Sequence, residues 1–133
     1  MPAIEAAGEV ADAVVRLASL ARRLDVPVTV SEQYPKGLGA TVESVRAAVG
    51  NTATTLQKIE FSCLANETLA RRIETLTASG REQLVVAGIE AHVCVLQTVL
   101  DLADNGQQVF VVAAAIGSRA AASKQLALQR LRD

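Results

Sequence analysis

A chain of 133 residues is long enough for one domain with a real core, and half of its residues are hydrophobic while only 2% are aromatic. A net charge of −1 gives no electrostatic case for nucleic acid or an anionic membrane surface, and no apolar run reaches the length of a membrane span. Two cysteines and one histidine exclude a disulfide framework and argue against a dedicated metal site. The core must be aliphatic and alanine-rich, the balance that suits helices packed on a parallel sheet. No signal-peptide pattern opens the chain, so a cytoplasmic protein is expected.

The spacing of Val10, Val14, Leu17, Ala21 and Leu24 predicts a helix from about Ala6 to Leu24, with Glu9, Asp12, Arg16, Ser19 and Arg22 on its polar side. Asp25 and Pro27 end it, and Val26 to Val30 reads as a short strand. Ser31 to Ala40 then reads as a loop holding one Pro, two Gly and the only Tyr, Tyr34. It is either a functional loop at a strand end or a surface excursion.

Val42 to Val49 predicts a short helix, and Thr54 to Ile59 an extended segment with Lys58 near its end. Phe61-Ser62-Cys63 continues as a loop. Asn66 is placed to cap a helix running to Ser79 with Leu69, Ile73 and Leu76 buried. Leu84 to Ala87 is a buried strand ending at Gly88, and a helix follows from about His92 to Asn105. That helix is apolar on most sides: Val93, Leu96, Leu100 and Ala103 form one face, and Val95, Val99 and Leu102 are apolar as well. Either two layers or a second subunit must cover it. Val109 to Ala115 is a further strand, and Ser123 to Arg132 a final helix. Alternating helices and strands with short connections imply an α/β fold with a parallel sheet and right-handed crossovers.

Cys94 stands at the start of the helix after Gly88. There it is either a nucleophile, flanked by loop N–H groups able to hold an oxyanion, or a small buried hydrophobe. Lys58, at a strand end, is either a cation serving a site or a solvated lysine. Cys63 reads as structural and makes no C-x-x-C pair with Cys94. His92 reads as pocket lining or surface, and Glu60 and Glu90 as loop-to-loop hydrogen-bonding groups. Gly37 and Gly39 do not form a phosphate loop.

G-I-E-A-H-V-C-V (Gly88 to Val95) and K-I-E-F-S-C (Lys58 to Cys63) resemble the cysteine and lysine segments of the isochorismatase-like cysteine hydrolases. S-E-Q-Y-P-K-G-L-G (Ser31 to Gly39) and V-F-V-V-A-A-A-I-G-S-R (Val109 to Arg119) are similar to the branch that includes the isochorismatase domain-containing proteins. The resemblance covers nearly the whole chain as a single domain, residues 1–133. It implies a three-layer, Rossmann-like fold around a parallel sheet and an Asp-Lys-Cys triad. On it, Cys94 is the nucleophile, Lys58 the lysine, and the loop at Ala91 and Cys94 the oxyanion site. Tyr34, Phe61, Glu90 and His92 are the candidate pocket residues. A cis peptide bond is implied within Ile89-Glu90-Ala91.

The implied chemistry is hydrolysis of a small amide, a related C–N bond or an ester-like bond through a Cys94 thioester. Neither a cofactor nor a metal is implied. The implied partners are a small-molecule substrate and a second copy of the chain, without nucleic acid or membrane. The sequence also departs from the family. Its aspartate lies at the end of a central strand ahead of the first helix, whereas here Met1-Pro2-Ala3-Ile4 resembles the residues after that strand, and neither Asp12 nor Asp25 can stand in. Ala114 stands where many relatives are acidic. The expectation is therefore a domain incomplete at both ends, with a second reading as a non-catalytic relative whose role is association or structure.

Overall fold

The computed structural model describes residues 4–132. Helix α1 (Ala7–Arg23) leads to β1 (Thr29–Gln33), the short α2 (Pro35–Leu38), α3 (Glu43–Val49) and β2 (Thr54–Lys58). A 3-10 turn (Cys63–Ala65) precedes α4 (Glu67–Ala78) and β3 (Gln83–Ile89). A π-helical turn (Ala91–Val95) runs directly into α5 (Leu96–Asp104), followed by β4 (Gln108–Gly117) and α6 (Ala121–Arg132). The α/β alternation read from the sequence holds. The strand read at Val26 to Val30 begins three residues later, because Val26 and Pro27 sit exposed in the turn where Asp25 takes a left-handed backbone (φ 56°). Ser31, Glu32 and Gln33, read as loop, are therefore the end of β1.

All strand pairing is parallel, but it falls into two pairs. β1 lies beside β2, from Thr29 opposite Thr54 to Gln33 opposite Lys58, and β3 lies beside β4. A central strand, which the resemblance places ahead of α1, has no counterpart among the described residues, and the sheet is divided accordingly. Met1 to Ala3, part of the segment read as following the family's first strand, and Asp133 lie outside the described range.

Each pair carries its own core. Under β3 and β4, Ala91, Val95, Val99, Ile116 and Ala127 are buried together, with Val86, Val109, Val111, Leu128 and Leu131 packed against them. Under β1 and β2, α1 and α3 contribute Ala18, Val45 and Val49, joined by Val14, Val15, Val28 and Val30. The α5 stripe is rotated from the one read in the sequence. Thr98, Val99 and Leu102 are the buried residues, whereas Leu96 and Leu100 are half-buried and Ala103 is exposed. The π-helical turn resets the helical phase one turn ahead of α5, which a regular 3.6-residue period cannot anticipate.

Where β4 reaches the end of β3, the register jumps from Val86 opposite Val111 to Gly88 opposite Ile116. Gly117 lies at that end because a Cβ there would come within 2.9 Å of Ile4 Cγ2 and 3.1 Å of Val10 Cγ2. The missing side chain lets the approach to α1 press onto the strand, and the Glu5 N–H donates to the Ser118 carbonyl at 2.9 Å. Gly88 is required for another reason, its φ of 132°, which other residues rarely adopt.

Candidate active site

The carboxyl ends of β1, β2 and β3 deliver Gln33, Lys58 and the Cys94 turn to one place. Lys58 is only 4% exposed. Its Nζ donates to Gln33 Oε1 at 2.6 Å, to the carbonyls of Glu60 at 2.8 Å and Phe61 at 2.9 Å, and reaches Cys94 Sγ at 3.4 Å. Burying an ammonium costs several kcal/mol unless its protons are satisfied. Here oxygen acceptors and a thiol serve that purpose. Among the described residues no carboxylate lies within ion-pair distance of Lys58.

The loop after β2 is held in place by α5. Ser62 Oγ donates to Asp101 Oδ2 at 2.5 Å, and the Cys63 N–H donates to Thr98 Oγ1 at 3.0 Å. Asn66 caps α4 by accepting from the Leu69 N–H at 3.1 Å, and its Nδ2 donates to Glu60 Oε1 at 3.1 Å. That last bond lowers the Glu60 carboxyl below the ordinary carboxylate value. These bonds fix the two carbonyls that hold Lys58. Cys63 itself touches Ser31, Sγ to Oγ at 3.7 Å, in keeping with a structural role.

Cys94 is partly buried in the π-helical turn, which follows a cis peptide between Ile89 and Glu90, within the segment where the resemblance implied one. Ala91 is fully buried at the start of the turn. A helix start presents unpaired N–H groups and partial positive charge, and the Lys58 ammonium adds a full one. Together they can stabilise negative charge on sulfur or on an oxyanion beside it.

The other pocket candidates fall into two groups. The backbones of Tyr34 and Phe61 flank Lys58, whose carbonyl accepts from the Tyr34 N–H at 2.8 Å, and both rings are half-exposed, that of Tyr34 lying over Gly37. Glu90 and His92 form a separate cluster. His92 Nδ1 is 2.8 Å from Ser118 Oγ, Glu90 Oε2 is 3.9 Å from His92 Nε2, and Glu90 Oε1 is 3.1 Å from Arg119 Nε. That last contact is an ion pair without hydrogen-bond alignment. No hydrogen bond joins Glu90 or His92 to Lys58 or Cys94 among the described residues. Asp12 is exposed on α1 and Asp25 exposed beyond it, so neither serves the site.

The residue that sequence reasoning missed is Gln33. With β1 ended at Val30, it counted as loop. A strand extended by three residues would have set it opposite Lys58. Thr98 and Ser62 were missed because a buried hydroxyl on a mostly apolar helix, or in a short turn, carries no periodic signal. Among the described residues no group of three or more His, Cys, Asp and Glu side chains could hold a metal ion. No described helix is long and apolar enough to cross a membrane.

Parallel strands flanked by helices, with a lysine and a cysteine meeting at the strands' carboxyl ends, define a Rossmann-like α/β domain of the isochorismatase-like hydrolase fold. The family description "Isochorismatase domain" matches residues 1–133, and the chain belongs to that family. It is 40% identical over 130 residues to isochorismatase domain-containing protein 1 of Danio rerio, covering 98% of this chain and 44% of that protein. The chain spans about half the length of the curated relatives that it matches. Among solved structures it superposes on one described as the MAR1 ribonuclease of Caenorhabditis elegans, with a TM-score of 0.88 and 33% identity, covering 97% of this chain and 64% of that one. A second neighbour is the ycaC gene product of Escherichia coli, described as an octameric hydrolase of unknown specificity (TM-score 0.85, 25% identity, 97% of this chain and 62% of that one). With a ribonuclease named among these structures, the exclusion of nucleic acid drawn from net charge has no support from the comparisons.

Proposed function

We propose that this domain provides the cysteine and lysine of a hydrolase site acting on a small amide, a related C–N bond or an ester-like bond. The carrying observation is the 3.4 Å contact between the buried Lys58 Nζ and Cys94 Sγ. An ammonium at that distance attracts negative charge on sulfur by on the order of 5 kcal/mol at an effective dielectric of about 20. Cys94 Sγ attacks the carbonyl carbon and the carbonyl π pair moves to oxygen. The N–H groups at Ala91 and Cys94 hold that oxyanion. The tetrahedral centre collapses with loss of the amine or alkoxide, which takes up a proton, and water then cleaves the thioester to release the acid and the thiol.

On this reading the proton acceptor is a carboxylate brought to the pair by polypeptide beyond residues 4–132, of this protein or of a partner subunit. Tyr34 and Phe61 would contact the substrate with their exposed rings. Glu90 and His92 would shape the loop behind Cys94 instead of touching the reacting bond, since their partners are Arg119 and Ser118. The octameric neighbour supports a homo-oligomer, and the half-buried Leu96 and Leu100 of α5 are the residues proposed to meet a second copy.

Single-turnover acylation tests the reading. The protein would be mixed with a panel of small activated esters and amides, with an RNA oligonucleotide as a separate arm. Intact mass and peptide mapping should show an acyl adduct on Cys94 that is lost in Cys94→Ala and slowed in Lys58→Met. Acylation of Cys63 at the same rate as Cys94, or RNA cleavage unaffected by Cys94→Ala, would contradict it. The non-catalytic reading predicts oligomers and no Cys94 adduct from any member of the panel.

A further inference from the structure

We propose that Gln33 is a positioning residue that competes with Cys94 for the Lys58 ammonium and so sets how much of that charge reaches the sulfur. This rests on the reading of Lys58 and Cys94 as a functional pair. A lysine ammonium has three N–H donors. Around Lys58 Nζ stand four acceptors, three oxygens at 2.6, 2.8 and 2.9 Å and the sulfur at 3.4 Å. The three oxygens account for the three donors, and the sulfur has only a share.

Two of those oxygens, the carbonyls of Glu60 and Phe61, belong to the loop pinned to α5 through Ser62 and Cys63. Gln33 is the third, and the only one on a side chain. Its amide is oriented from the far side, because Nε2 donates to the Ile59 carbonyl at 2.8 Å and turns Oε1 toward the lysine. The same Oε1 lies 3.9 Å from Cys94 Sγ, so it accepts from the ammonium and stands beside the thiol at once.

As Cys94 loses its proton, the thiolate needs an N–H that Gln33 Oε1 holds, and the partial negative charge of that oxygen opposes the new anion. Without Gln33, Lys58 stays anchored by two carbonyls and turns its freed N–H to the sulfur. With a carboxylate in its place, the ammonium is held more tightly and a full negative charge faces the thiolate. The remaining charged groups on the surrounding elements are engaged elsewhere: Glu32 with Thr41, Glu60 with Asn66, Asp101 with Ser62, Glu90 with Arg119, and His92 with Ser118.

The experiment is the rate of Cys94 alkylation by iodoacetamide against pH, read by peptide mapping so that Cys63 serves as an internal reference. Gln33→Met, which keeps the length of the side chain and loses both hydrogen-bonding groups, should move the midpoint down by about one unit, a tenfold gain on its acid side. Gln33→Glu should move it up. A residue that merely supports the fold would send both variants the same way, so midpoints that shift together, or a Gln33→Met profile equal to the wild type, overturn the proposal. Gln33→Leu reads the same arm if Gln33→Met melts below the assay temperature. Lys58→Met separates the two layers. If it leaves the wild-type profile unchanged, the functional pairing itself fails, whereas a Lys58 effect without opposite Gln33 effects rejects only the role of Gln33.

Discussion

The two halves of this domain are stabilised by different means, and the candidate site lies where they meet. The β3–β4 half has strands of seven and ten residues over an aliphatic core in which Ala91 and Ile116 are fully buried and Ala127 is 2% exposed. The β1–β2 half has two five-residue strands, and its buried core residues are Ala18, Val45 and Val49. Packing therefore places Cys94, since Ala91 and Val95 of its own turn are core. Hydrogen bonds place Lys58, through Gln33, two carbonyls and the hydroxyls that tie the loop to α5. On the proposed reading, such a division lets Cys94 sit on a packed element while the charge beside it is set by polar contacts that can be adjusted.

The largest expected effect follows on the packed side. Cys94→Ala should abolish acyl-adduct formation, and Cys94 lies outside the buried core, so the thermal melt should stay within a few degrees of the wild type. Val99→Ala, in the β3–β4 core, should destabilise by roughly 2–4 kcal/mol in denaturant titration. Val49→Ala, in the thinner core, should cost less, about 1–3 kcal/mol. Equal losses would show that the two cores are equivalent and remove the contrast. On the polar side, Thr98→Val takes away the acceptor of the Cys63 N–H and should cost on the order of 1 kcal/mol. It should also slow Cys94 alkylation by loosening the loop that holds Lys58.

The smallest effect concerns Glu32, next to Gln33. The Thr41 hydroxyl at 2.7 Å and the Thr41 N–H at 2.8 Å hold its carboxyl below the ordinary value, helped by Arg46 and opposed by burial. A depressed folded-state value means that this contribution to stability is present above the ordinary carboxylate range and is lost as pH falls through the depressed value. An NMR titration should show the Glu32 transition moving up toward the ordinary range in Thr41→Val.

The alternation of helices and strands was legible in the sequence because it rests on periodicity, and Asn66 was legible as a cap because capping is local. Lys58 and Cys94 could be singled out as candidates by their positions at a strand end and a helix start. The resemblance joined them, and in the structure their side chains lie 3.4 Å apart. Gln33 was hidden by a strand boundary set at the last β-branched residue, although pairing with β2 carries the strand on through polar residues. The α5 stripe was misjudged because the π-helical turn shifts the phase of a helix whose sequence is apolar nearly all round. The division of the sheet into two pairs is encoded by no local pattern, and only the resemblance, which places a central strand ahead of α1, pointed toward it.

The central claim, that Lys58 and Cys94 act as one unit across the two halves, is most directly tested by competitive alkylation. Substoichiometric iodoacetamide would be applied to the wild type and to Lys58→Met at neutral pH, and labelling of Cys94 and Cys63 counted by peptide mapping. The account predicts that Cys94 is labelled well ahead of Cys63 in the wild type and loses that lead in Lys58→Met. Equal labelling of the two cysteines in the wild type, or a Cys94 lead that survives the loss of Lys58, would contradict it.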